Sequence, residues 1–187
     1  MPTIATDSMP SGHALPAFSL RDVVKGTLVS NESVRGAKAL LVIFLCRHCP
    51  YVVHVQKELR HLADDYQPRG TTIIGISSND SKEYPEDAPD MLREMALEVG
   101  FPFPILFDES QDVARAFTAA CTPDFFLFDS DARLAYRGRL DESTPGNGLP
   151  VTGRDLRAAL DAVLAGQPVL GKQFPSRGCG IKWTKSH

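Results

Sequence analysis

Residues Ala39-Leu-Leu-Val-Ile-Phe-Leu45 form an unbroken apolar run that gives way, within five residues, to a segment of quite different period. Such a run is too short for most helices and lacks the polar alternation of a half-exposed strand. It predicts a strand buried on both faces, in a sheet covered by helices on two sides. From Pro50 the pattern changes. Val52, Val55, Leu59, Leu62 and Tyr66 follow spacings of 3, 4, 3 and 4, the apolar stripe of a helix over 50–66. Proline suits the first helical turn, where its missing N–H has no partner to lose, and Gly70 closes the element.

Strand and helix then alternate again. Thr71–Ile76 reads as a second buried strand, and Ala88, Met91, Leu92, Met95 and Val99 mark a second helix. Two short β-prone pieces, Ala17–Arg21 and Thr27–Ser30, precede the apolar run. Phe103–Phe107 reads as a short edge strand, followed by a short helix over Gln111–Ala119. Phe125–Phe128 and Ala132–Leu140 predict a hairpin turning on Asp129-Ser-Asp131. Thr152-x-x-Asp155 opens a last helix carrying Leu156, Leu160 and Val163. The expected architecture is a single α/β domain, a central mixed sheet flanked by helices with an N-terminal β extension. Residues 1–16 read as a loose arm, 17–165 as the domain, and 166–187 as a tail on or near it, without clear periodicity.

At 187 residues, with 43% hydrophobic and 23% charged, the chain has the makeup of one ordinary globular domain. A net charge of −3 without long runs of either sign argues against nucleic-acid or membrane partners. Residues 1–15 offer neither a cationic start nor an apolar core, so the expectation is a cytoplasmic chain without a secretory signal. Four cysteines are too few for a disulfide scaffold.

Their placement matters more than their number. Cys46-Arg47-His48-Cys49-Pro50 lies where the buried strand ends and the helix begins. Two cysteines three apart at a helix start can close a small disulfide, the first exposed and the second tucked beneath it. Helix N–H groups, the macrodipole and the neighbouring Arg47 and His48 all favour thiolate there. A stabilised thiolate favours the dithiol over the disulfide and makes the couple more oxidising. A zinc site is the competing reading of a C-x-x-C, with His54, Cys121 and Cys179 as candidate further ligands, but no second C-x-x-C or H-x-x-x-H pair completes a tetrahedron. No metal and no cofactor is assigned.

The segments Phe44–Pro50, Ile74–Asp80, Phe103–Asp108, Thr122–Asp129 and Tyr136–Gly138 occur in the order and spacing of a known superfamily. On these motifs the chain resembles the thioredoxin-fold redoxins, in their peroxiredoxin-like (AhpC/TSA-like) branch, over about residues 15–165. The ending Gly178-Cys-Gly-Ile-Lys-Trp183 is similar to that of one peroxiredoxin-like subgroup. The resemblance implies a thioredoxin-like fold and a thiol–disulfide oxidoreductase with Cys46 as attacking thiolate and Cys49 as resolving thiol. It implies that Thr122-Pro123 is a cis-proline whose loop faces the dithiol and pairs with substrate backbone. Its implied partners are a protein or small-molecule disulfide, or a hydroperoxide, and a thioredoxin or glutathione reducing system.

The departures bear on mechanism. The peroxiredoxin pattern P-x-x-x-[T/S]-x-x-C, aligned on Cys49, finds Val42 for the proline and Cys46 for the hydroxyl residue. An antioxidant thiol peroxidase acting through Cys46 or Cys49 is therefore the second reading, and a metal-binding or redox-sensing module using Cys46, His48, Cys49 and Cys121 the third. Thioredoxin's tryptophan and buried aspartate are replaced by Leu45 and Leu40, so the proton acceptor for Cys49 must come from elsewhere, His48 or water. Cys121 and Cys179 are possible additional redox thiols; a packed thiol is the alternative for each. Asp80, Glu83, Glu86, Asp87 and Asp90 read as a solvated loop and helix start.

Overall fold

The computed structural model describes residues 9–185. Strands β1 (Ser19–Asp22), β2 (Leu28–Ser30), β3 (Ala39–Phe44), β4 (Thr71–Ser77), β5 (Ile105–Phe107), β7 (Asp124–Phe128) and β8 (Leu134–Gly138) build one mixed sheet in the order β2-β1-β5-β4-β3-β7-β8. The parallel pairs are β3 with β4 and β4 with β5; the others are antiparallel. Two further strands, β6 (Cys121–Thr122) and β9 (Cys179–Gly180), pair with each other. Helices α1 (Pro50–Tyr66), α2 (Pro89–Val99), α3 (Asp112–Ala116) and α4 (Arg154–Leu164) complete the fold.

All six residues of β3 are buried, as its unbroken apolar run requires. Successive side chains of a strand point to opposite faces, and β3 divides accordingly. Leu41, Ile43 and Leu45 pack in one core with Val52, Val55, Leu59 and Leu62 of α1, Leu92 of α2 and Leu156 and Leu160 of α4. Leu40, Val42 and Phe44 pack in a second core with Val113 and Ala114 of α3, Phe117, and Ile181 from the tail. On that second face Phe117 meets Phe44 and Phe126 edge-on, each at 5.4 Å between ring centroids, and Phe128 at 6.0 Å.

One strand sits elsewhere than its sequence suggests. β5 is flanked by β4 and β1, so it is an interior strand rather than an edge. The N-terminal β1–β2 hairpin folds back antiparallel onto β5 and takes the edge position. Residues 9–16 run beside β8, with Ala14 bridging to Arg133 and the Gly12 N–H bonded to the Leu134 carbonyl; residues 1–8 lie outside the described part of the chain. No described helix is long and apolar enough to cross a membrane.

Phe117 is fully buried among three aromatic rings. Removing a buried aromatic ring leaves an unfilled cavity, so Phe117→Ala should cost roughly 3–5 kcal/mol in urea unfolding; a cost below about 1 kcal/mol would show that this face is not packed as described.

Candidate active site

The junction of β3 and α1 brings Cys46 and Cys49 together. β3 ends at Phe44, and Cys49 is the N-cap of α1, with Pro50 in its first turn. The Cys46 and Cys49 thiols lie close enough for each to shift the other's ionisation. The expectation of an exposed first thiol does not hold: Cys46 is 1% exposed and Cys49 0%. Thr122 lies directly against Cys46, and the segment carrying Asp87 closes on it from another side.

Thr122 and Pro123 link β6 to β7 through a cis peptide bond. The Thr122 hydroxyl is 3.3 Å from Cys46 Sγ, while its carbonyl accepts a hydrogen bond from the Cys49 thiol at 3.1 Å. The loop thus reaches both sulfurs from a single residue.

Ionisation of the two thiols is linked through their contact. Hydrogen bonding from Cys46 draws Cys49 down to about 4 against the opposing effect of burial, with further bonds from Cys179 and Thr122. The same contact, then burial and the charge of Asp87, pushes Cys46 up. The two ionisations are thus coupled, and the low first one belongs to the pair rather than to either sulfur alone. Thr122 biases where that proton sits. A carbonyl can only accept, so it favours S–H on Cys49, whereas a hydroxyl can donate to a charged Cys46.

Asp87 is the residue that sequence reasoning misses. It reads as part of a solvated acidic loop, yet it is 0% exposed. One carboxylate oxygen accepts from the backbone N–H groups of Arg47 and His48 at 2.7 and 3.3 Å. The other accepts from His48 Nδ1 at 2.6 Å and from Asn79 Nδ2 at 2.7 Å. A buried charge needs such compensation. Asp87 therefore fixes the Cys46–Cys49 turn and the His48 ring, which also stacks on Tyr84 at 5.5 Å between centroids. Its loop carries no periodicity, and its partners are 8 to 40 residues away along the chain; only tertiary structure identifies it.

Arg47 sits in the motif but turns its side chain away from the sulfurs. Its guanidinium bonds to Glu94 at 2.8 Å, to the Met91 carbonyl at 3.3 Å and faces Glu98 at 3.9 Å, all on α2. The fixed cation of the sequence reading is thus neutralised by helix carboxylates. Cys121 is buried and bonds to the Pro123 carbonyl at 3.7 Å rather than to another thiol; burial, with Asp124 adding, pushes it up. Cys179 is pushed up to about 12 by burial and by its hydrogen bond to Cys49. The ligating atoms of Cys46, His48 and Asp87 lie within 4.8 Å of one another, a set that could hold a metal ion. It differs from the expected metal set: Asp87 takes the place of Cys49 and Cys121, and His54 is bonded elsewhere, to Ser143 at 2.8 Å.

Comparison with known proteins places this geometry in context. A search of curated proteins finds no match. The structure is similar to an uncharacterized conserved protein from Geobacillus kaustophilus, with a TM-score of 0.96 and 51% identity over 100% of this chain and 99% of that one. A hypothetical protein from Sinorhizobium meliloti 1021 superposes with a TM-score of 0.94 and 44% identity, covering 97% of this chain and 98% of that one. A thiol:disulfide interchange protein of the thioredoxin family from Chlorobium tepidum shares the fold at 20% identity, with a TM-score of 0.63 over 84% of this chain and 99% of that one. The redoxin family model matches residues 10–156. With this match over most of its length, and with a thioredoxin-like sheet carrying its paired thiols at a strand-to-helix junction, the chain belongs to the redoxin family.

Proposed function

We propose that this protein is a thiol–disulfide oxidoreductase working through Cys46 and Cys49. The observation that carries this reading is the buried pair of cysteines at the start of α1, with Thr122 set against both: its hydroxyl 3.3 Å from Cys46 and its carbonyl accepting from the Cys49 thiol at 3.1 Å. The Cys46 thiolate attacks one sulfur of a substrate disulfide, forming a mixed disulfide and expelling the other sulfur as a thiolate that takes up a proton. Cys49 gives up its proton and attacks Cys46 Sγ, forming the Cys46–Cys49 disulfide and releasing the second substrate thiol. The substrate disulfide gains two electrons and the protein's dithiol loses two. A thioredoxin or glutathione system in the cytoplasm then returns the pair to the dithiol.

Neighbouring residues support each step. The Thr122 hydroxyl stabilises charge on Cys46, and its carbonyl holds the proton on Cys49 until the second attack. Asp87 orients the His48 imidazole beside Cys46 through Nδ1, leaving Nε2 for a transferable proton.

One observation favours a second reading. The Thr122 hydroxyl stands 3.3 Å from Cys46, a donor beside this sulfur comparable to the one that the peroxiredoxin pattern places near its own reactive cysteine, which aligns here with Cys49. In a thiol peroxidase, the Cys46 thiolate attacks a hydroperoxide oxygen, becomes sulfenic acid and releases an alcohol or water; Cys49 then condenses with it, losing water. Stopped-flow consumption of hydrogen peroxide far above that of a free thiol supports this reading, and a rate equal to free thiol removes it.

Insulin reduction should fall to background in Cys46→Ser, whereas Cys49→Ser should accumulate mixed disulfides visible on non-reducing gels. Full activity in Cys46→Ser overturns the assignment. Because the pair loses its first proton at about 4, a thiolate is present at neutral pH and is lost only on acidification. Iodoacetamide alkylation of the reduced protein should hold a plateau from neutral pH downward and fall as pH drops through about 4. A fall centred near the ordinary thiol value of about 8.5 contradicts the coupled ionisation of the pair.

A further inference from the structure

Outside the Cys46–Cys49 pair, the tail is the feature most firmly built onto the site. Its two-residue strand β9 pairs antiparallel with β6, with Cys179 opposite Thr122 and Gly180 opposite Cys121. Cys179 is 6% exposed, stands opposite the residue whose carbonyl accepts from Cys49, and lies close enough to Cys49 for each thiol to shift the other's ionisation. Gly178 lies flush on the Thr122–Pro123 backbone: a Cβ at this position would collide with the Thr122 carbonyl. The strand is secured on both sides. Ser176 Oγ bonds to the Asp124 carboxylate at 2.8 Å and to the Gly138 carbonyl at 2.7 Å. Beyond it, the Lys182 N–H bonds to Asn79 Oδ1 at 2.9 Å, and Gln111 Nε2 to the Lys182 carbonyl at 2.8 Å. Gln111 Oε1 also accepts from the Thr184 N–H at 2.9 Å.

This construction holds a third sulfur beside the Cys49 member of the dithiol. We infer that Cys179 is a third redox thiol, exchanging into the Cys46–Cys49 disulfide to give a Cys49–Cys179 disulfide and a free Cys46 thiol. The inference rests on the proposed Cys46–Cys49 couple. In the exchange, the Cys179 sulfur attacks Cys49 Sγ; a Cys49–Cys179 bond forms as the Cys46–Cys49 bond breaks. The proton that leaves Cys179 ends on Cys46, so one disulfide and one thiol stand on each side and no outside oxidant is consumed. In the reduced protein Cys179 stays a thiol, its ionisation opposed by burial and by the neighbouring Cys49. Once Cys49 is in a disulfide, its part in that opposition is gone, while Lys182 still favours the Cys179 thiolate. The exchange moves the disulfide onto the tail and regenerates the nucleophile. Cys121, bonded to the Pro123 carbonyl, takes no part.

The test maps disulfides by mass spectrometry in full-length protein oxidised with excess glutathione disulfide and digested without reductant. Cys46→Ser should yield the Cys49–Cys179 linked peptide as its main protein disulfide. Gly178→Ala, which lifts β9 from Thr122, should lose that peptide while keeping Cys46–Cys49. In Cys46→Ser, Cys49 linked to Cys121 or only to glutathione overturns the inference, as does an undiminished Cys49–Cys179 peptide in Gly178→Ala. The two readings separate: insulin reduction by the natural sequence without Cys49–Cys179 sinks this inference alone, whereas Cys49–Cys179 formed by a protein inactive on disulfides sinks the proposed activity alone.

Discussion

Thr122 meets the dithiol with two of its atoms and the tail with its backbone. The hydroxyl approaches Cys46, the carbonyl accepts from Cys49, and the β6–β9 ladder sets Cys179 opposite the same residue. Displacing this residue would separate the three sulfurs. Its own position is held from below by Asp124, the first residue of β7. The Asp124 carboxylate is buried, paired with Arg137 at 3.3 Å and bonded to Ser176. Burial pushes its ionisation up and Arg137 opposes that, as a desolvated carboxylate next to a guanidinium requires. The sheet thus transmits its rigidity to the site through one buried ion pair.

Asp87 provides the second fixed point. A carboxylate that gives up all contact with water must recover that hydration as hydrogen bonds, and Asp87 recovers it from the very turn that presents Cys46. This makes the geometry of the C-x-x-C turn depend on a residue from the loop that leads into α2. The buried aspartate that thioredoxin places upstream of its motif is Leu40 here, and Leu40 simply fills the second core. A buried carboxylate is still present near the sulfurs, supplied by Asp87 from the loop before α2.

The elements that bury a periodic face were legible in the sequence. α1 runs over Pro50–Tyr66, the span its apolar spacing and first-turn proline delimit, and β3 is buried along its whole length. The hairpin of β7 and β8 turns where Asp129 can accept from the Asp131 and Arg133 N–H groups. The position of β5 was not legible, because three apolar residues do not say how many strands lie outside them. Cys46 and Cys49 stood out by spacing, and Thr122-Pro123 by resemblance. Cys179 stood out as a cysteine and its segment by resemblance, but the pairing of β9 with β6 and the role of Asp87 did not. Each is defined by partners distant in sequence, and neither two paired residues nor one buried carboxylate leaves a period to detect.

The tail is anchored by directional hydrogen bonds from Asn79, Gln111 and Ser176, with Ile181 as its buried apolar anchor. The sheet is held by two extensive apolar cores. Segments so differently secured open as separate cooperative units, with free energies far apart. In native-state hydrogen exchange, the tail amides will therefore exchange through a local opening that leaves the amides of β3 and β4 protected, and the reactive end of the molecule has an opening mode of its own without loss of the fold.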